Sequence, residues 1–111
     1  MRFDVNKNGS AIILTLKERK LDSSVSPELK AEFLILCKPK VTDKLIVDMS
    51  SVDSCDSSGL SALLIADRTM REHGGQVRLI HVHKKVMGIL KISQLDRVFH
   101  IYTSLDEALK E

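Results

Sequence analysis

The residues best placed to do chemistry are Asp56-Ser57-Ser58-Gly59-Leu60. They follow a β-like run, Leu45-Ile46-Val47-Asp48-Met49, and a short loop of small polar residues, and they open a helix-like run, Leu60-Ser61-Ala62-Leu63-Leu64-Ile65-Ala66. Two hydroxyls therefore sit at a strand-to-helix turn. The first N–H groups of a helix lack intrahelical partners and the helix dipole is positive there, so a phosphate attached at this turn is tolerated electrostatically. A serine so placed is suited to a covalent switch. The same serines also fit a plain N-cap, the commonest reason for Ser at a helix start. Asp56 can orient a neighbouring hydroxyl or take its proton, or it can simply close an Asx turn. Gly59 fits a point where the backbone turns tightly or passes close to a partner, where a Cβ would interfere.

The elements that must carry this turn are legible from periodicity. Phe3 and Val5 alternate with polar residues, Asn8-Gly9-Ser10 gives a turn, and Ile12, Leu14 and Leu16 continue the alternation, which predicts a hairpin. Lys17-Glu18-Arg19-Lys20 reads as a charged exit. Ser26-Pro27-Glu28 supplies an N-cap hydroxyl, a first-turn proline and an acid, predicting a helix over 27–38 with Leu29, Phe33, Leu36 and Cys37 on one face. Leu45-Ile46-Val47 is apolar on both faces, as a central strand must be. A helix over 58–73, stopped by Gly74-Gly75, leads to the strand Val77-Arg78-Leu79-Ile80-His81-Val82, a βαβ unit. A helix over 84–92, a short strand at 99–101 and a last helix from Ser104 follow; the spacing of Ser104 to Glu107 predicts a capping box. The expected architecture is a single α/β domain over 1–111: a mixed central sheet of about four to five strands faced by about four helices, with no internal repeat.

Composition narrows the function. At 111 residues the chain can bury a core without staples. Its net charge is +2, from 17 basic and 15 acidic residues that are interspersed, and aromatic content is 4%, so neither a basic stripe nor a stacking platform for nucleic acid is expected. The longest apolar runs, 33–37 and 62–66, fall far short of the roughly 20 residues that span a bilayer. The N-terminus lacks the apolar stretch of a signal peptide, and a cytoplasmic protein is expected. Cys37 and Cys55 lack metal-ligand spacing and are expected as reduced thiols. Cys55 reads as a small buried hydrophobe rather than a redox sensor.

Other constellations are weak. His81 and His83 alternate at a strand end and so share a face, but two histidines make a poor zinc site, and no metal or cofactor is expected. The Gly-x-Ser-x-Gly elbow of a serine hydrolase is absent, as are P-loop and dinucleotide glycine patterns. Asp48 at a strand end invites comparison with a response-regulator receiver, but the first strands carry no acidic pair.

The whole pattern resembles the STAS family, the anti-sigma factor antagonists. The aliphatic strand, its acidic end, the polar loop, Asp56-Ser57-Ser58-Gly59-Leu60 and the apolar helix form that family's core motif. Leu21-Asp22 before a Pro-initiated helix resembles its first loop, Gly74-Gly75-Gln76-Val77-Arg78-Leu79 its last central strand, and 91–99 its C-terminal element. The chain departs from the family at Arg19-Lys20, which precede Leu21-Asp22, and at Cys55, where a larger apolar residue is usual. The resemblance implies a binding protein rather than an enzyme. Its phosphorylation site would be Ser57, with Ser58 as second choice, and its partner-binding residues Asp22, Asp56, Ser57, Ser58, Gly59 and Leu60. The implied partners are an anti-sigma factor that is also a serine kinase, using ATP, and a PP2C-type phosphatase that restores the free serine. A different single-domain STAS role, such as a subunit of a lipid-transport complex or a regulator of another signalling enzyme, is the alternative.

Overall fold

A computed structural model describes residues 1–110. Five strands form a mixed sheet in the order β1-β2-β4-β6-β7: β1 (Phe3–Asn8), β2 (Ala11–Leu16), β4 (Lys44–Asp48), β6 (Gln76–Ile80) and β7 (His100–Tyr102). The β1–β2 hairpin is antiparallel and every other pairing is parallel. Two further strands, β3 (Lys20–Leu21) and β5 (Ser54–Cys55), pair in parallel as a separate two-stranded sheet. The helices are α1 (Ser26–Cys37), α2 (Ser57–Arg71), α3 (Lys84–Ile92) and α4 (Leu105–Leu109), with a 3-10 turn at Leu95–Arg97. This is the α/β architecture expected, with four helices.

The alternation of side chains along each strand divides the core. Ile12, Leu14 and Leu16, Leu45 and Val47, Val77 and Leu79 point to one face, where they meet Leu29 and Phe33 of α1, Leu63 and Met70 of α2, and Val86 and Leu90 of α3. Ile46 and Ile80 point to the other, where Ala108 of the short α4 covers them. β4 is buried along most of its length because it has a neighbour on both sides and helices on both faces. The parallel unit β4–α2–β6 forms as the sequence requires, with α2 closed by Gly74 in the left-handed region at φ +81°. Its cap is made by the N–H of Gly75, which donates to the Met70 carbonyl at 2.8 Å.

Several local expectations are corrected. Ser26 does not cap α1: the N-cap is Val25, without a side-chain bond, and the Ser26 hydroxyl instead donates to the Ser58 carbonyl at 3.0 Å. The capping box of α4 is half made. Ser104 Oγ accepts from the Glu107 N–H at 3.2 Å, but Glu107 Oε1 takes its hydrogen bond from Thr103 Oγ1. The charged segment before Leu21 is not merely an exit, since Lys20 and Leu21 form β3. His81 lies beyond β6 in a left-handed backbone, φ 56°, so it does not share a strand face with His83. His81 Nδ1 lies 3.1 Å from Asp48 Oδ1, and His83 Nε2 lies 2.8 Å from the Ser50 carbonyl.

Candidate functional site: the Asp56 turn

The parallel pairing of β3 with β5 aligns Leu21 with Cys55, so Asp22 and Asp56 leave the two strands side by side. Hydrogen bonds hold the junction together. The Asp56 N–H donates to the Leu21 carbonyl at 3.1 Å, the Ser54 N–H to the Arg19 carbonyl at 3.2 Å, and Ser26 Oγ bridges from α1 to the start of α2. Outside them, the Arg19 guanidinium pairs with Asp53 Oδ2 through two nitrogens at 3.0 and 3.2 Å, so the unusual cation before Leu21 has an acidic partner within the chain.

Asp56 is the N-cap of α2. Its Oδ1 accepts from the Ser58 N–H at 2.9 Å, the Gly59 N–H at 3.2 Å and the Ser58 hydroxyl at 2.6 Å. The capping role expected of the serines therefore belongs to the aspartate, whose carboxylate closes the turn and also holds the Ser58 hydroxyl. The Ser58 hydroxyl, followed by the Gly59 amide, holds the Asp56 carboxyl below its ordinary pKa. Asp22 is lowered in the same way by the Ser24 hydroxyl and amide, against an opposing push from the charge of Asp56.

The two serines differ sharply. Ser58 is half-buried and its hydroxyl is committed to Asp56. Ser57 is exposed, and among the described residues its hydroxyl holds no hydrogen bond. Asp56 therefore orients the hydroxyl of Ser58, not that of Ser57.

Gly59 and Leu60 are buried within this chain. A Cβ on Gly59 would collide with the Leu21 carbonyl and stand 2.8 Å from both Leu21 Cβ and Cys55 Sγ. The close approach is thus within the chain and serves to seat α2 against β3 and β5. Leu60 joins the main core. Cys55 is buried and its thiol is pushed up to about 11, first by burial and then by the Asp56 charge. Among the described residues no group of three or more His, Cys, Asp or Glu side chains could hold a metal, and no helix is long and apolar enough to cross a membrane.

Ser26 and the β3 strand were not found from sequence. A two-residue strand has too little periodicity to register, and Ser26 followed by Pro imitates a cap. The sequence does carry one unused signal: the tripeptide Asp-Ser-Ser occurs at 22–24 as well as at 56–58.

The family model described as the STAS domain matches residues 2–108. The chain belongs to the STAS domain family. Two relatives from Thermotoga neapolitana and Thermotoga maritima, both named as candidate anti-sigma factor antagonists, are 32% and 30% identical to this STAS chain over 69 residues. Those matches span 62% of the chain and 61% of each relative's length. The crystal structure of an anti-sigma factor antagonist candidate from Thermotoga maritima superposes with a TM-score of 0.85 at 25% identity, covering 96% of this chain and 91% of that one.

Proposed function

We propose that this STAS domain is an anti-sigma factor antagonist: its unphosphorylated form binds an anti-sigma factor that is also a serine kinase, freeing the sigma factor, and phosphorylation of Ser57 ends the binding. The observation that carries this reading is the isolation of the Ser57 hydroxyl. Asp56, Ser58, Gly59 and Leu60 are each committed to the fold, while Ser57 is the one residue of this turn that is exposed with a free hydroxyl among the described residues. In this scheme the chain is a cytoplasmic substrate and competitor, not an enzyme. ATP and its metal belong to the kinase, and a PP2C-type phosphatase returns the serine. Asp22 and Asp56 flank the docking surface, with Ser58 behind it as a positioning residue.

The energetics favour a switch confined to binding. A phosphoserine adds about −1.5 to −2 charges beside two carboxylates already held ionised by their hydrogen bonds. The positive end of the α2 dipole tolerates that charge within the chain, whereas an apposed acidic or apolar partner surface cannot. Surface charge effects fade beyond roughly 8 Å in physiological salt, so the footprint must include the Asp22 and Asp56 loops.

The test is calorimetry against the purified kinase partner. Ser57→Asp is expected to weaken binding at least tenfold, about 1.4 kcal/mol, with thermal stability close to wild type. Lys110→Ala, on the far side of the sheet, is expected to bind as wild type does. Equal affinities for wild type and Ser57→Asp would sink the switch, and a Ser57→Asp chain that fails to fold would contradict the exposed position of Ser57.

A further inference from the structure

The Asp56 turn has a twin. Asp22-Ser23-Ser24 repeats Asp56-Ser57-Ser58 residue for residue, and the hydrogen bonding repeats with it. Asp22 Oδ1 accepts from the Ser24 N–H at 3.0 Å and the Ser24 hydroxyl at 2.5 Å, where Asp56 Oδ1 accepts from the Ser58 N–H at 2.9 Å and the Ser58 hydroxyl at 2.6 Å. In each turn the last serine is committed to the carboxylate. The middle serine, Ser23 or Ser57, is exposed with a free hydroxyl among the described residues.

Duplication alone would mean little if the copies lay apart. They do not: Leu21 pairs with Cys55, so each turn begins one residue past its strand and the two strands are neighbours, about 4.8 Å apart at the usual spacing. The charge of Asp56 acts on the Asp22 carboxyl, so the two turns are electrostatic neighbours.

We propose that Ser23 is a second phosphoryl acceptor, modified by the same serine kinase that acts on Ser57. The proposal rests on the reading of Ser57 given above. A kinase site that accepts Ser57 meets a hydroxyl preceded by an aspartate and followed by a serine turned back onto it; the Ser23 turn presents the same groups. In the transfer, the bond from the γ-phosphorus of ATP to its bridging oxygen breaks and a bond from that phosphorus to Ser23 Oγ forms. ADP leaves, and the Ser23 hydroxyl proton passes to a base of the kinase or to water.

The two sites are unequal, which sets their order. Ser57 is the first residue of α2, where the positive end of the helix dipole favours added negative charge, whereas Ser23 lies ahead of α1 in a turn. Ser57 is filled first, and the second phosphate arrives more slowly against the charge of the first. The docking surface then has three states rather than two, and the doubly modified form binds the partner least.

The test is site-resolved stoichiometry. The full chain is incubated with magnesium, ATP and an extract of the cell that makes it, then cut with trypsin. Ser23 and Ser57 fall on separate peptides, residues 21–30 and 45–68. Phosphate is expected on both, on Ser57 first, with Ser57→Ala still modified at Ser23 and Ser23→Ala modified at Ser57 alone. Phosphate on Ser57 with none on Ser23 overturns the second site and leaves the Ser57 reading standing. Phosphate on neither peptide overturns both, and phosphate on Ser24 in place of Ser23 overturns the correspondence between the turns. Both serines are exposed, so unchanged circular dichroism of the two alanine variants is the expected control.

Discussion

Arg78 reaches from the middle of the sheet to the main-chain carbonyl of Ala108, donating through Nη1 at 2.7 Å. The same nitrogen also bonds the Lys110 carbonyl, and the guanidinium lies 5.2 Å from the centre of the Tyr102 ring. A cation thus caps the last turn of α4 and holds that short helix on its face of the sheet. In the strand pattern Arg78 interrupts an apolar run, and its side chain is only 6% exposed.

Arg78→Met should therefore destabilise the chain by about 2–3 kcal/mol, the scale of losing buried hydrogen bonds to a charged group. Urea unfolding would measure the loss. Hydrogen exchange should show the amides of α4 opening before those of β4. Arg78→Lys should recover only part of the stability, because an ammonium lacks the planar fork that meets several acceptors at once.

Gly59→Ala and Gly88→Ala should have opposite signs. Both glycines lie in helices, where alanine is favoured by about 1 kcal/mol. At Gly88 nothing lies within 4 Å of the new Cβ, so stability should rise by up to that amount. At Gly59 the Cβ meets backbone and packed atoms of Leu21 and Cys55, and overpacking of this kind costs about 1–3 kcal/mol, so the net change should be a loss. Denaturation midpoints of the two variants decide it.

The Asp22 and Asp56 carboxyls should titrate below the ordinary Asp value, each because of the serine two residues on. A depressed folded-state pKa contributes stability above the unfolded value, about 3.9, and that contribution is lost as pH falls through the folded pKa. Wild type should thus lose stability on acidification below about pH 4. Ser58→Ala should raise the Asp56 pKa toward normal and flatten its share of that loss. Carboxyl chemical shifts followed against pH report both effects.

Neither cysteine should react while the chain is folded. Burial pushes Cys37 up to about 12 and Cys55 up to about 11, so almost no thiolate exists at pH 8. A disulfide reagent added to native protein should release no signal on the minute scale, and two thiols should appear on denaturation. Rapid native labelling of Cys55 would show that the Asp56 turn opens.

The long elements were legible because their periodicity is strong: the hairpin, α1, β4, α2, β6 and α3 all lie within a residue or two of their expected bounds. What escaped notice was set by tertiary contact. Ser26 carries every sign of a cap, yet its hydroxyl is drawn to the Ser58 carbonyl because α1 and α2 pack together there. Gly59 and Leu60 belong to the motif, but their burial against Leu21 depends on β3, which two residues of sequence could not announce. The Asp56 turn itself could be located from its neighbours on the chain. Which of its serines was free could not, since that depends on where Asp56 aims its carboxylate.

The commitments around Asp56 also govern how this loop can change over generations. Position 56 requires a short acceptor, 58 a donor able to fold back, 59 the absence of a Cβ, and 60 an apolar side chain. Only position 57 is unconstrained by the fold, so mutation can rewrite it without penalty to the scaffold. A lineage could place an alanine or an acid there, and the protein would still assemble as before.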